Sequence, residues 1–443
     1  MAEMPPFIKG KAYNREVPPG RGMSIRNTSR RAFLEAALGA ATVAAAPAPV
    51  RAQAKPIKLG VVHPVTGALA EPGQACRLGA QMAAEAINAA GGIKALGGAR
   101  LELLLADTQG KPDLARTEAE RVINQGAQML LGAFDSASTA AMVPVAQQRR
   151  VPFLVDVAAA DAITASVARA VKDGLVKIQY VYRNCPTASS FGRRAVQYFT
   201  EIFREAGVSP RRVVLMSCND AFGQSQSRGF MAAHRAANPA WEIVDTIVWA
   251  EPAVDLSGEV ARAKSARPDV IMPITRAGSA HLLLSEIRRQ RVDVMGIMGP
   301  GSPGLHEAGP LAAFKDELEH VLTCVPWPNF KNPKIAAAAE EYRKRSGGKS
   351  LDLAAGYGCD AVLVAADALE RARSTDGEAI VDALKKTHLA LGVMQYGGPI
   401  VFNEVGDNPN AIPTVIQIQA GKPVAVWPRE AALQKLVFPR PRG

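Results

Sequence analysis

Cysteine is scarce in this chain, and the few cysteines stand apart from one another. All five lie after residue 54, none forms a Cys-x-x-Cys pair, and no histidine lies at the spacing of a metal ligand. These absences exclude the common zinc motifs and dithiol redox motifs. Because five is an odd number, at least one thiol has no partner within the monomer. We expect the cysteines to serve as small buried apolar side chains.

Recognisable catalytic motifs are also missing. The sequence contains no Gly-x-Ser-x-Gly, no His-Glu-x-x-His and no P-loop, which are the signatures of common hydrolases and nucleotide-binding enzymes. The loop after the first predicted strand lacks the Gly-x-Gly-x-x-Gly pattern that holds a dinucleotide. The sequence therefore predicts a protein that is not an enzyme and that carries no cofactor or metal.

Long apolar runs and clustered positive charge are absent after residue 54. No segment there approaches the ~18 consecutive apolar residues of a membrane-spanning helix. The whole chain has a formal net charge of +11, but residues 1–54 alone contain eight Lys and Arg against three Asp and Glu. The remaining basic residues are scattered, in short pairs such as Arg149-Arg150. This scatter is typical of solvated helix faces, so no nucleic-acid partner is expected.

An export signal is predicted near the N-terminus. Arg30 and Arg31 stand side by side before a weakly apolar stretch, Ala36–Ala48, and Ala52-Gln53-Ala54 follows that stretch. A charged region, an apolar region and an Ala-x-Ala site in this order are typical of an export leader. Paired arginines are typical of the twin-arginine route, which carries folded proteins. We expect a disordered extension and signal over residues 1–54, cleavage after Ala54, and a periplasmic location for the remainder.

Strand-like and helix-like segments alternate from Lys55 onward. The run Ile57–Val62 is continuously apolar and β-branched, as a strand covered on both faces should be. The alternation restarts after Tyr180, where strands are predicted at 213–217, 242–248, 270–274 and 295–298 and helices at 225–238, 256–266 and 282–290. This repetition predicts two successive parallel sheets, each flanked by helices.

A mainly helical block follows the second predicted sheet. Helices are predicted at 333–345, 354–373 and 377–386, and strands at 400–403 and 414–419. This order predicts that the chain returns to the first lobe and then crosses again. The predicted fold class is α/β, with two doubly wound parallel-sheet lobes joined by a multi-strand hinge that can close around a ligand. We assign residues 55–181 and 327–395 to lobe 1 and residues 182–326 and 396–443 to lobe 2.

Six short motifs occur along the chain in order. They are Ile57-Lys-Leu-Gly-Val-Val-His-Pro-Val-Thr-Gly67, Ala83-Ala-Glu-Ala-Ile-Asn-Ala-Ala-Gly-Gly92, Asp107-Thr-Gln-Gly, Asn219-Asp-Ala-Phe-Gly223, Gly356-Tyr-Gly-Cys-Asp-Ala361 and Gly398-Pro-Ile-Val-Phe-Asn403. Together they resemble the leucine/isoleucine/valine-type periplasmic substrate-binding proteins of ABC importers, over residues 55–428. The resemblance implies the type I bilobal fold, a small-molecule ligand in the cleft, and docking of the closed form on membrane permease subunits.

The resemblance also implies ligand-binding residues in the first lobe. The loop after a third predicted strand, at 128–132, supplies Asp135, Ser136 and Ala137, where hydroxyls and helix N-terminal amides would bind a carboxylate. The segment at the end of a fourth predicted strand, at 152–157, supplies Asp156, Ala158 and Ala159. The family usually has hydroxyl residues in this second loop, and their replacement by aspartate and alanine changes the expected clamp. Either aspartate can alternatively serve only as a helix N-cap.

In the second lobe the resemblance implies Phe222, Thr275, Arg276 and Ser302. Phe222 stands where the family commonly has tyrosine, and Arg276 follows a strand that should end at the cleft. An arginine there can bind a carboxylate with two parallel hydrogen bonds, or can extend along the lobe surface instead. Ser302 lies in Gly299-Pro-Gly-Ser-Pro-Gly304, a segment without the acid that holds an amino-acid ammonium group in the family.

These departures favour a ligand other than a standard α-amino acid. The first expectation is a small aromatic or aliphatic acid, with its carboxylate on Arg276 and its apolar body against Phe222. The second is an amide, urea-like or amine ligand that uses Asp135 or Asp156. The predicted function is the solute-binding component of an ABC importer. A ligand sensor on the same fold, working with a membrane receptor, is the alternative.

Overall fold

The computed structural model describes residues 54–390, 392–394 and 397–441. The predicted export signal, with Arg30 and Arg31, lies outside the described residues, and the predicted cleavage site after Ala54 falls at their edge. Within these ranges, no helix is long and apolar enough to cross a membrane. All five cysteines are buried and free of disulfide bonds.

The first lobe is built on five parallel strands in the order β2-β1-β3-β4-β5. The strands are β1 (Ile57–His63), β2 (Leu101–Asp107), β3 (Met129–Gly132), β4 (Phe153–Val155) and β5 (Val181–Arg183). In β1 every side chain except that of Lys58 is buried. A strand covered by helices on both faces has no solvent-facing side, which explains its continuous apolar sequence.

Seven helices cover this first sheet or pack around it. They are α1 (Ala70–Ala89), α2 (Pro112–Asn124), α3 (Ser136–Arg149), α4 (Ala162–Lys172), α11 (Pro333–Arg345), α12 (Leu353–Ala372) and α13 (Gly377–Leu384). The last three follow residue 326, after most of the second sheet, yet their apolar residues join the core of the first lobe. The chain therefore returns to the first lobe before it forms the last two strands of the second sheet.

The second lobe contains a seven-stranded sheet in the order β12-β11-β10-β9-β8-β6-β7. Its strands are β6 (Arg212–Cys218), β7 (Glu242–Trp249), β8 (Val270–Ile274), β9 (Gly296–Gly299), β10 (Leu322–Val325), β11 (Thr414–Gln419) and β12 (Lys422–Trp427). Its helices are α5 (Ala188–Glu205), α6 (Ala221–Ala237), α7 (Ser257–Ser265), α8 (Ala277–Arg289), α9 (Ala308–Ala313) and α10 (Lys315–Leu318). The pairs β10–β11 and β11–β12 are antiparallel, and the other strand pairs are parallel.

The predicted α/β fold with two mainly parallel sheets is confirmed, and a few elements differ from the sequence analysis. Residues 400–403 form no strand, because only Ile400 makes an isolated bridge, to Leu389. The elements β5, β12, α4 and α5 are not among those predicted from the sequence. Strand β5 has only three residues, and β12 contains Pro423, which disrupts the usual pattern of a strand.

The chain passes between the lobes three times. It crosses between β5 and α5, between β10 and α11, and between residue 408 and β11. Residues 397–408 stay with the first lobe, because Ile400 joins its core and Asp407 pairs with Arg183. The sequence analysis instead began the last segment of lobe 2 at residue 396. The physical reason for the difference is this packing against β5.

Helices α1 and α12 approach each other closely through two glycines. A Cβ on Gly79 would lie 2.0 Å from the Ala355 carbonyl oxygen, and a Cβ on Gly358 would lie 2.2 Å from the Cys76 carbonyl oxygen. No side chain fits at either distance without moving a backbone. The two glycines therefore determine how closely the first and last parts of this lobe pack.

Replacing Gly358 with alanine tests this close packing. The added methyl group forces the two helices apart, so we expect Gly358→Ala to lower the free energy of unfolding by about 1–3 kcal/mol. Gly258→Ala is the matched control, because a Cβ there meets nothing within 4 Å and alanine is the better helix former. Urea denaturation measures both. Equal stability of Gly358→Ala and the unmodified protein would contradict the packing argument.

A buried arginine joins the crossing segments to the loop after β4. The Arg183 side chain is fully buried, and its Nε lies 3.1 Å from Oδ1 of Asp407. It donates hydrogen bonds to the carbonyl oxygens of Ala158 (3.1 Å) and Ala160 (2.9 Å) and to the Thr164 hydroxyl (2.8 Å). One guanidinium thus fixes the β4 loop, the start of α4 and the segment that leads to the third crossing.

Removing the Arg183 side chain should lower the free energy of unfolding. Arg183→Met leaves the largely buried Asp407 carboxylate without its cation and removes one donor from each of two carbonyl groups, so we expect the free energy of unfolding to fall by about 3–5 kcal/mol. Arg262→Met is the control, because its pair with Asp245 is exposed and such pairs contribute about 0–1 kcal/mol. Chemical denaturation measures both variants. Similar losses in the two variants would contradict a special role for Arg183.

Candidate ligand-binding site

Loops that follow the strands of both sheets meet around one cavity, which we call the inner cleft. Its volume is about 40 Å³, which is room for only a few water molecules. The two lobes are therefore closed on each other. The cavity is lined by Phe134, Val157, Ala159, Cys185, Pro186, Phe191, Phe222, Arg276, Gly301, Pro303, Val325, Pro326, Leu353 and Tyr357.

The first-lobe wall of the inner cleft is the turn between β3 and α3. Phe134 lines the cleft with φ at 69°, in the left-handed region that non-glycine residues seldom adopt. Asp135 follows it as the N-cap of α3, where Oδ1 accepts a hydrogen bond from the Ser138 amide at 2.8 Å. The other oxygen, Oδ2, is buried without a hydrogen-bond partner among the described residues. One carboxylate oxygen therefore remains available to a ligand.

Ser136 and Ala137 lie in the first turn of α3, outside the lining of the closed cleft. The Ser136 hydroxyl is buried and accepts a hydrogen bond from the Ala160 amide at 3.4 Å. Ala137 is partly exposed. Neither residue lines the cavity in this closed arrangement. A ligand could therefore contact them only if the lobes were opened to a different extent.

The loop after β4 divides into two parts. Ala159 lines the inner cleft, while the Ala158 carbonyl accepts the hydrogen bond from Arg183. Asp156 is fully buried beneath them, and its Oδ2 lies 2.6 Å from Nε2 of His63. The Cys76 thiol lies near enough to complete a group of three possible metal ligands. The direct contact pairs Nε2 of His63 with Asp156, while Nδ1 of His63 is buried without a hydrogen-bond partner among the described residues.

Arg276 and Phe222 form the second-lobe wall. The guanidinium carbon of Arg276 lies 4.4 Å from the centre of the Phe222 ring, a cation–π contact. The Nε and Nη2 atoms of Arg276 lie 2.9 and 2.8 Å from Oδ2 of Asp220. Burial alone would raise the pKa of the Asp220 carboxyl, but Arg276 and the Gly223 amide lower it below its ordinary value. Arg276 thus enters the cleft already paired with one carboxylate.

The charges of Arg276 and Asp135 influence each other across the cleft. Burial raises the pKa of the Asp135 carboxyl, and the Ser138 amide and Arg276 offset this only in part. A ligand carboxylate between these groups would gain from Arg276 and be repelled by an ionised Asp135. A ligand cation would instead be attracted by an ionised Asp135 and repelled by Arg276, and a ligand hydrogen-bond donor would also favour Asp135.

Thr275 and Ser302 lie behind the cleft wall. Both are fully buried, and their hydroxyl oxygens are 2.8 Å apart. The Ser302 hydroxyl also accepts a hydrogen bond from the Thr275 amide, and Thr323 joins the network. These two residues position the loops after β8 and β9, and neither lines the cavity.

The structure adds residues that the sequence analysis did not select. Tyr357 lines the cleft, and its hydroxyl is buried without a partner among the described residues. Phe191 and Leu353 add apolar surface from α5 and α12. Tyr357 belongs to one of the six ordered motifs, which was the available signal. The cleft thus combines apolar walls with the polar groups of Arg276 and Tyr357, while Asp135 follows the lining residue Phe134 and interacts electrostatically with Arg276.

The sequence and fold match known proteins over most of their length. A profile of the periplasmic binding protein family matches residues 56–422. The Leu/Ile/Val-binding protein homolog 8 of Brucella abortus (strain 2308) is 24% identical over 396 residues, which cover 86% of this chain and 93% of that protein.

Two solved structures share the fold. The branched-chain amino acid transporter substrate-binding protein LivJ of Streptococcus pneumoniae, in complex with isoleucine, matches with a TM-score of 0.70 and 23% identity over 87% of this chain and 100% of its own. A solute-binding protein of an ABC transporter from R. palustris, in complex with benzoate, matches with a TM-score of 0.67 and 20% identity over 84% and 95%. The resemblance that the six ordered motifs indicated is confirmed, and the chain belongs to the periplasmic binding protein family.

Proposed function

We propose that this protein is the extracytoplasmic solute-binding component of an ABC importer. The observation that carries the proposal is that both lobes line the inner cleft, where Arg276 and the unpartnered Tyr357 hydroxyl lie on otherwise apolar walls. A solute that contacts both lobes favours the closed state, because it has more contacts there than in an open one. The closed form would then dock on permease subunits in the membrane. Export by the twin-arginine route, directed by Arg30 and Arg31, completes the proposal.

The proposed ligand is a small aromatic or aliphatic acid. Its carboxylate would bind the face of Arg276 that Asp220 leaves free, and its apolar body would lie against Phe222, Phe134 and Tyr357. The R. palustris protein that shares the fold is in complex with benzoate, which supports this class. The cleft must open further for any such ligand to enter, since the closed volume is small.

An amide, urea-like or amine ligand is the second candidate. The buried, unpartnered Oδ2 of Asp135 favours it, because this oxygen can accept a hydrogen bond from a ligand N–H group. The Brucella relative is named a Leu/Ile/Val-binding protein, and an amino acid would satisfy Arg276 and Asp135 together. Asp156 has no part in this candidate, because His63 occupies it.

A thermal-shift screen of the purified exported protein tests the function. The panel contains amino acids, aromatic acids, short aliphatic acids, amides and polyamines. A true ligand stabilises the folded state by an amount that grows with its concentration, by about 2.7 kcal/mol at 100 times its Kd. We expect at least one acid without an amine to raise the melting temperature in this way. A panel without any stabilising member would contradict the proposed class of solute.

Two variants separate the ligand classes. Asp135→Asn keeps the α3 cap, since asparagine also accepts the Ser138 amide, but removes the negative charge. We expect it to strengthen binding of an acid and weaken binding of an amine, each by about tenfold, which corresponds to about 1.4 kcal/mol. Arg276→Ala should lower the affinity for an acid by at least the same factor. Titration calorimetry measures each affinity, and an acid that binds Arg276→Ala as tightly as the unmodified protein overturns the Arg276 assignment.

A further inference from the structure

A second and larger cavity lies between the lobes, and we call it the outer cavity. Its volume is about 430 Å³, within the range of about 300–1,000 Å³ typical of small-molecule sites. It shares no lining residue with the inner cleft. The first lobe contributes the start of α1, the end of α11 and residues 349–352, and the second lobe contributes residues 306–311 and 421–423. Trp327, at the second crossing, also lines it.

Charged side chains of both signs line the outer cavity. The carboxylates of Glu71, Glu307 and Asp352 lie there together with the basic side chains of Arg345, Lys349 and Lys422. Lys349 pairs with Glu71 at 2.9 Å, and Arg345, which also lines the cavity, is paired with Glu85 at 2.7 Å. Glu307 forms no side-chain hydrogen bond or ion pair with the described residues, and Asp352 only caps α12 through the Ala355 amide. Two carboxylates in the cavity therefore have no cation.

Two buried polar side chains in the same wall also have no partner. Both ring nitrogens of His306 and the indole Nε1 of Trp327 are buried without a hydrogen bond among the described residues. His306 is 4% exposed and Trp327 2% exposed, and both line the cavity. Their rings meet edge to face, with centroids 5.2 Å apart. Buried polar atoms are almost always hydrogen-bonded, so these atoms indicate a missing polar partner.

The chemistry of the cavity favours an organic cation over a metal ion. No three acidic or histidine side chains here lie close enough together to hold one ion, since among the described residues such a group of three occurs only at His63, Cys76 and Asp156. Apolar side chains of Pro72, Leu78 and Leu311 complete the lining. An indole near carboxylates is also a favourable surface for ammonium and guanidinium groups.

We propose that the outer cavity binds a small organic cation, an ammonium, amidinium or guanidinium compound, with Glu307 as its principal charge partner and Asp352 as the second. His306 and Trp327 supply further hydrogen bonds and an aromatic wall. This inference goes beyond the proposed function, because the site is separate from the inner cleft. Since both lobes line the cavity, a bound cation also stabilises the closed arrangement.

The proposed site has a characteristic pH dependence. Burial raises the pKa of Glu307 to about 7 and that of Asp352 to about 6, so both are partly protonated near neutral pH without a ligand. A bound cation favours the ionised carboxylates, and binding therefore releases protons and strengthens as pH rises from about 5.5 to about 7.5. Burial lowers the pKa of His306 to about 4 and keeps it neutral in this range. The other titratable or charged groups that face the site are Glu71, Tyr342, Arg345, Lys349 and Lys422, with Arg276 acting on Glu307 from farther away.

Titration calorimetry on the purified exported protein tests the proposal. The probes are agmatine, putrescine and benzamidine, with benzamide as an uncharged compound of nearly the same shape as benzamidine. We expect at least one cation to bind with a Kd below about 1 mM, and benzamide to bind much more weakly than benzamidine. Glu307→Gln and Asp352→Asn should each lower the affinity for the cation, and Glu307→Gln should lower it by about tenfold or more. Asparagine at 352 still caps α12, so this variant keeps the fold.

Two control variants locate the binding. Glu340→Gln removes an exposed acid from α11 outside the cavity and should leave the affinity unchanged. Phe222→Ala alters the inner cleft and should change cation affinity by less than about threefold. The proposal is overturned if no cation binds, if benzamide binds as tightly as benzamidine, or if Glu307→Gln binds like the unmodified protein. If Phe222→Ala loses cation binding, the cation binds in the inner cleft. That result would overturn the proposed outer site and leave the proposed solute-binding function standing.

Discussion

The burial of Arg183 is the constraint on which the cleft depends. A fully buried guanidinium requires an anion and several acceptors, and here these come from Asp407, Thr164 and two carbonyl groups of the β4 loop. Because the acceptors lie in distant parts of the sequence, one side chain ties the third crossing to a cleft wall. The position of Ala159 in the cleft, and of the segment that precedes β11, follows from satisfying this charge.

The inner cleft and the outer cavity differ in how their charged side chains are paired. In the inner cleft Arg276 is balanced by Asp220 and influenced by Asp135, so the polar groups there are nearly compensated and the walls are apolar. In the outer cavity Glu307 and Asp352 form no ion pair within the described part of the chain, whereas Glu71 is paired with Lys349. A bilobal protein whose two interlobe cavities differ in charge can respond to two chemically different solutes, or to one solute with two different ends.

Much of the fold could be predicted from the sequence, and less of the site. Strands such as β1 and β8 are continuously apolar because helices cover both faces, and that pattern is visible without a structure. Phe222, Ala159 and Arg276 could be selected because they follow strand ends. Glu307, His306 and Asp352 could not, because only the tertiary fold brings these residues of different segments to one cavity. Similarly, Ser302 and Thr275 look like ligand hydroxyls in sequence, but their mutual hydrogen bond is visible only in three dimensions.

Small-angle X-ray scattering tests the central claim that a solute bound between the lobes holds them closed. The radius of gyration of the purified protein would be measured without solute and at saturation with the most stabilising compound from the screen. The account predicts a smaller radius of gyration at saturation, with the bound state matching the closed arrangement described above. The claim would be contradicted if the free protein were more open than this arrangement and its radius of gyration stayed the same at proven saturation with the solute.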